Sequence, residues 1–130
     1  MVLSVPSDFE WLEPWVPIED PSAESVYRFI IDQSKRSISA KEALRKELLH
    51  EICPSHPLHS VECRAVAYCR ADTDDVLFVT QHRSIPIVCV HLTLEKEDRP
   101  EWPHFDSYES WNAWSRQMRS ESNAAGPRAE

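Results

Sequence analysis

Between residues 61 and 94 apolar and polar positions alternate in three successive runs, the period of half-buried β-strands. In the first run Val61, Cys63, Ala65, Ala67 and Cys69 fall on one side, and Glu62, Arg64, Val66, Tyr68 and Arg70 on the other. The turn formers Asp72, Thr73, Asp74 and Asp75 separate it from VLFVTQ at 76–81, and Arg83, Ser84 and Pro86 supply the next reversal. The third run, Ile87 to Leu94, alternates most sharply. Val88, Val90, Leu92 and Leu94 make a wholly apolar face, while Ile87, Cys89, His91 and Thr93 make a mixed one. A three-stranded antiparallel meander, covered on one face by helices, accounts for this pattern.

Helical spacing flanks the meander on both sides. Asp20 before Pro21 is a good helix start, and Val26, Phe29, Ile30 and Gln33 follow at helical intervals, which predicts a first helix over 21–35. Ser39 with Glu42 forms a capping box for a second helix over 40–52, burying Ala40, Leu44, Leu48 and Ile52 before Pro54 ends it. Residues 95–106 read as a charged loop anchored by Trp102 and Phe105. A last helix over 107–120, capped by Asp106 or Ser107, carries the stripe Tyr108, Trp111, Trp114 and Met118. The N-terminal arm has Pro6, Pro14 and Pro17 at spacings that defeat a helix, yet its Phe9, Trp11, Leu12, Trp15, Val16 and Ile18 need apolar cover. The expected architecture is therefore α+β: two N-terminal helices, a three-stranded antiparallel β-meander and a C-terminal helix. Residues 1–19 form an aromatic arm packed on a single domain at 20–120, and 121–130 a flexible tail.

Composition narrows the function classes. A chain of 130 residues with 42% hydrophobic and 28% charged positions fits one globular domain. It has no apolar run near the roughly 20 residues of a membrane span, and its start lacks the basic and long apolar regions of an export signal, so no membrane association and a cytoplasmic location are expected. Fourteen basic against 22 acidic residues, a net charge of −8, disfavour nucleic acid as a partner. The single glycine, Gly126, excludes the GxxxxGK, GxGxxG and GxSxG loops, and with them nucleotide hydrolysis, dinucleotide binding and ordinary α/β-hydrolase chemistry.

Two clusters could carry chemistry. His50, Cys53, His56 and His59, with Cys63 nearby, have spacings that resemble zinc ligands. Each also has an ordinary role at a helix end or beside a proline, and no CxxC or HxxxH pair frames them. No metal and no cofactor are expected there, and those four are the ligands to test. The second cluster is the mixed sheet face, where Arg64, Tyr68, Cys89, His91 and Thr93 form a candidate ligand or partner surface, with a half-solvated sheet face as its structural alternative. Asp72, Asp74 and Asp75 lack the glycine and glutamate of a calcium loop and read as a solvated turn. No catalytic residue is assigned.

HPL at 56–58, DDVLF at 74–78 and VHLTL at 90–94, followed by Trp102, Pro103, Phe105 and Trp111, resemble a group of small uncharacterised bacterial proteins that carry these segments in this order. The resemblance covers about residues 43–112, with Leu94 where that group has tryptophan, and it implies no activity. With no catalytic motif, an acidic balance and many tryptophans, the functional expectation is a non-enzymatic interaction module with a protein partner or self-association, of immunity or antitoxin type. The alternative is a small ligand-binding protein or enzyme using the sheet face around His91.

Overall fold

The computed structural model describes residues 4–34 and 37–125. The fold is α+β, but the described residues form five strands and four helices where three of each were expected. In chain order these are β1 (Trp15–Pro17), α1 (Ser22–Val26), α2 (Arg28–Gln33), α3 (Ala40–Glu51), β2 (Cys63–Cys69), β3 (Asp75–Thr80), β4 (Ile87–His91), β5 (Phe105–Tyr108) and α4 (Trp111–Ala125). The sheet is antiparallel throughout, in the order β1-β2-β3-β4-β5. No helix among the described residues is long and apolar enough to cross a membrane.

The two additional strands are the sheet edges. β1 is three residues long and ends in Pro17, which has no amide to give a ladder; an edge strand tolerates that loss. β5 is the polar FDSY, inside what reads as a charged loop, and it pairs only with β4. Short, polar or proline-bearing edges suit the places where a sheet must not recruit another chain.

The expected first helix breaks at Tyr27, whose φ of −103° and ψ of 22° separate α1 from α2. Tyr27 is buried, and its hydroxyl donates to the Thr73 carbonyl at 2.6 Å, so tertiary anchoring overrides the helical run. Lys35, the expected end of that helix, lies outside the described residues. At α3 the capping box forms by one half: Ser39 Oγ accepts from the Glu42 amide at 3.1 Å, while the Glu42 carboxylate turns to Arg45 at 2.6 Å. Ser110, not Asp106 or Ser107, caps α4, with the Ala113 amide donating to its hydroxyl at 3.0 Å. Residues 121–125 of the expected tail are helical; 126–130 lie outside the described residues.

A bulge in β2 between Ala65 and Ala67 changes the expected faces. An extra residue in one strand reverses the alternation beyond it. Cys63, Ala65 and Tyr68 thus face one core, with Val76, Phe78, Val88, Val90 and the α3 residues Leu44 and Leu48. Ala67 and Cys69 join Leu77, Val79, Ile87 and Cys89 in a second core on the opposite face. Both faces are covered, not one. On the second, the arm and α4 interlock: Phe9, Trp11 and Trp15 meet Trp114 at ring separations of 5.8, 5.4 and 5.8 Å, and the Trp111 indole donates to the Ser4 carbonyl at 3.1 Å. Such aromatic pairs add about 0.5–1.5 kcal/mol each beyond the area they bury.

Candidate functional site

The second face is not covered to its end. Where α4 runs past the sheet, a cleft of about 560 Å³ opens over β3, β4 and β5, walled by Glu13, Pro14 and Trp15 of the arm and by Met118 and Glu121 of α4. Strand register brings its floor together. Asp75 opens β3 opposite His91 at the end of β4, and Asp106 of β5 lies opposite Cys89. Four side chains separated in sequence thereby project from adjoining strands into one space.

His91 sits between two carboxylates. Its Nδ1 lies 2.6 Å from Asp75 Oδ1 and its Nε2 3.2 Å from Asp106 Oδ2. Two flanking carboxylates can accept from both ring nitrogens at once only when the ring is an imidazolium, so the bracket favours the charged form. Partial burial pulls against that charge, but the hydrogen bonds to Asp75 and Asp106 and their negative charge outweigh it, so the His91 pKa is raised. Cys89, only 5% exposed, is the reverse case: burial first, and then the charges of Asp75 and Asp106, push its thiol far above the usual range. A thiol held protonated is a poor nucleophile. Tyr108, also in the cleft, is shifted upward, chiefly by burial.

The five residues of the candidate sheet face are dispersed. Cys89 and His91 meet. Tyr68 is turned by the bulge to the opposite face, where its hydroxyl lies 2.7 Å from Ser22 Oγ and its ring stands edge-on to Tyr27. Arg64 shares the face but pairs with Val79, four residues along β3 from Asp75, so it lies about 13 Å away, bonded to Glu62 at 3.0 Å. Thr93 lies beyond β4 and engages Glu51.

The four candidate metal ligands are not gathered either. His56 is buried with both ring nitrogens committed: Leu58 N–H donates to Nδ1 at 3.0 Å, which leaves Nε2 as the protonated nitrogen, 3.0 Å from the Pro103 carbonyl. His56 therefore ties the connector after α3 to the segment before β5. His50 and His59 are exposed, and Cys53 is buried. Among the described residues, the three potential ligands that do converge are Asp75, Cys89 and His91, their ligand atoms all within 4.8 Å of one another.

Sequence reasoning missed Asp75 and Asp106, one read as part of a turn and the other as part of a loop. It also missed Glu51, a fully buried carboxylate that accepts from the amides of Thr93 at 2.9 Å and Leu94 at 2.8 Å and from the Thr93 hydroxyl. Burial and the neighbouring Glu47 push its pKa up to about 8 against the pull of those amides. The residues it holds include Leu94, at φ 62°, a left-handed conformation costly for a branched side chain. The segments HPL, DDVLF and VHLTL thus occupy the His56 tie, strand β3 and the strand end that carries both His91 and the turn on Glu51. No protein-family model matches the chain, and comparison with curated proteins and with solved structures found no significant match.

Proposed function

We propose that this protein binds a small, positively charged ligand in the cleft over Asp75, His91 and Asp106, without catalysing a reaction on it. The observation that carries this reading is the charge of the cleft. Glu13, Asp75, Asp106 and Glu121 line it, and His91, the basic side chain among its lining residues, is already bracketed by two of those carboxylates. Trp15, Tyr108 and Met118 give the apolar walls that such sites use to exclude water and orient a ligand. Arg70, the nearby guanidinium, is bonded to Glu13 at 3.3 Å and leaves the floor acidic.

The test is a thermal-shift panel of organic ammonium ions, divalent metal ions and matched anions. Cations are expected to raise the melting temperature and anions to leave it unchanged, with the cation effect lost in Asp75→Asn. Stabilisation by anions alone would refute the reading. Of the interaction-module reading, the charge of −8 remains in its favour. The tryptophans support it less than the sequence implied, since Trp11, Trp15, Trp111 and Trp114 are spent on internal packing and Trp102, at 40% exposure, is the one that stands outside.

A further inference from the structure

We infer that the cation this cleft is built for is a divalent, thiolate-binding metal ion of the zinc class, held by Cys89 Sγ, His91 Nδ1 and an Asp75 carboxylate oxygen. The inference rests on the cation-binding reading above and narrows it.

Three observations converge. The ligand set is one sulfur, one nitrogen and one oxygen, a combination that suits zinc and cobalt(II) and is wrong for calcium or magnesium, which take oxygen. The ligand atoms already lie within 4.8 Å of one another. A tetrahedral zinc site with bonds of about 2.0–2.3 Å needs about 3.3–3.8 Å between them, a distance reached by side-chain rotation. The Nδ1 to Asp75 separation of 2.6 Å opens slightly as the ion replaces the proton between them. Finally, Cys89 is 95% buried and lines the cleft, and its sulfur, close to the His91 and Asp75 ligand atoms, has no hydrogen-bond partner among the described residues.

Asp106 completes the arrangement from outside. With Nδ1 on the metal, Nε2–H keeps its bond to Asp106 Oδ2 at 3.2 Å, and that carboxylate fixes the ring's orientation and raises its basicity. The charge also balances. The two carboxylates, the imidazolium and the thiol carry one negative charge in sum. Binding one divalent ion expels the thiol proton and the Nδ1 proton to solvent, and the net charge is unchanged. Three protein ligands leave a fourth position toward the cleft, for water or a ligand atom.

The experiment uses the full chain, stripped with a chelator and titrated with Co²⁺ and, in competition with a chromophoric chelator, with Zn²⁺. One equivalent of Co²⁺ is expected to produce thiolate-to-cobalt charge-transfer absorption, and Zn²⁺ to displace it and raise the melting temperature. Cys89→Ser removes the band, Cys53→Ser and Cys63→Ser keep it, and Asp106→Asn keeps it while weakening Zn²⁺ binding about 10- to 100-fold. Circular dichroism of each stripped variant verifies folding. No band in the folded wild type, or a band that survives in Cys89→Ser, overturns the inference. If the stripped protein shows no band but is stabilised by 1,4-diaminobutane in an Asp75-dependent way, the metal assignment falls and the cation-binding reading stands. If neither cation acts, both fall.

Discussion

Asp75 and His91 face each other across the β3–β4 ladder, with Oδ1 and Nδ1 2.6 Å apart, so the shortest ion pair in the cleft is also a cross-strand pair of the sheet. Replacing Asp75 by Asn therefore touches fold and site together. With side-chain exposures of 41% for His91 and 23% for Asp75, solvent screens the pair, and the expected loss is about 1 kcal/mol. Because the folded His91 pKa is raised, its contribution is complete below the ordinary histidine value near 6.5 and disappears as pH rises through the folded value. Urea melts of the metal-free protein should show Asp75→Asn weakest relative to wild type near pH 6, with the two curves converging in alkali. An undiminished gap at high pH would contradict the pair's role.

Glu51 is expected to titrate in the same direction for a different reason. Its pKa of about 8 in the folded chain exceeds the ordinary 4.5, so its stabilisation is present below that lower value and is lost as pH rises through about 8. Glu51→Gln keeps an acceptor for Thr93 but turns an amide nitrogen toward the Leu94 N–H, leaving a buried donor unpaired. The expected cost is about 1–3 kcal/mol at pH 5. The variant should also show a shallower decline in stability than the wild type between pH 5 and 8.5, the His91 contribution remaining, measured by denaturant unfolding across that range.

Trp111 and Trp114 are distinguishable by their indole nitrogens. Trp111 donates to Ser4, whereas Trp114 Nε1 is buried with no acceptor among the described residues. Trp111→Phe should release the start of the arm, seen as faster proteolysis before residue 10. Trp114→Phe should leave cleavage there unchanged, and Trp114→Ala, which empties the centre of the aromatic cluster, should cost about 3–5 kcal/mol.

Leu94 at φ 62° and 41% exposure offers the opposite sign. Leu94→Gly removes a conformational penalty of about 1–2 kcal/mol and adds unfolded-state entropy of roughly half that size. A net gain of up to about 1 kcal/mol is expected by thermal unfolding, with Leu94→Val destabilising.

The strands β2, β3 and β4 were legible because central strands must be apolar on buried faces, and Val76 to Val79 and Ile87 to Val90 leave no other reading. β1 and β5 were not, because an edge strand can be built from WVP or FDSY with no periodic signal at all. The bulge at Ala65 to Ala67 was equally silent: it carries no glycine or proline to mark it, yet it decides that Tyr68 and Cys89 lie on opposite faces. For the site, alternation alone placed Cys89 and His91 together. Asp75 and Asp106 become their neighbours only through register between strands, and register is set by the packing of Leu77, Val79 and Ile87 against α4 and the arm rather than by any local motif. The HPL turn had a visible purpose only once Pro103 was seen across from His56.

The sheet order also sets an order of assembly. β2, β3 and β4 each pair with the strand that follows directly in the chain, so their ladders close short loops and are expected to form early. β1 is the exception, joining β2 only after α1, α2 and α3 have been laid down between them. Glu13, Pro14 and Trp15, one wall of the cleft, are thus tied to the sheet through the ladder that closes the longest loop, and β1 is the strand expected to open first in local unfolding. An occupant of the kind proposed is expected to clasp that strand, slowing amide hydrogen exchange not only at the wall it touches but also in the arm residues before Glu13, so that binding is read out as retention of the N-terminal segment.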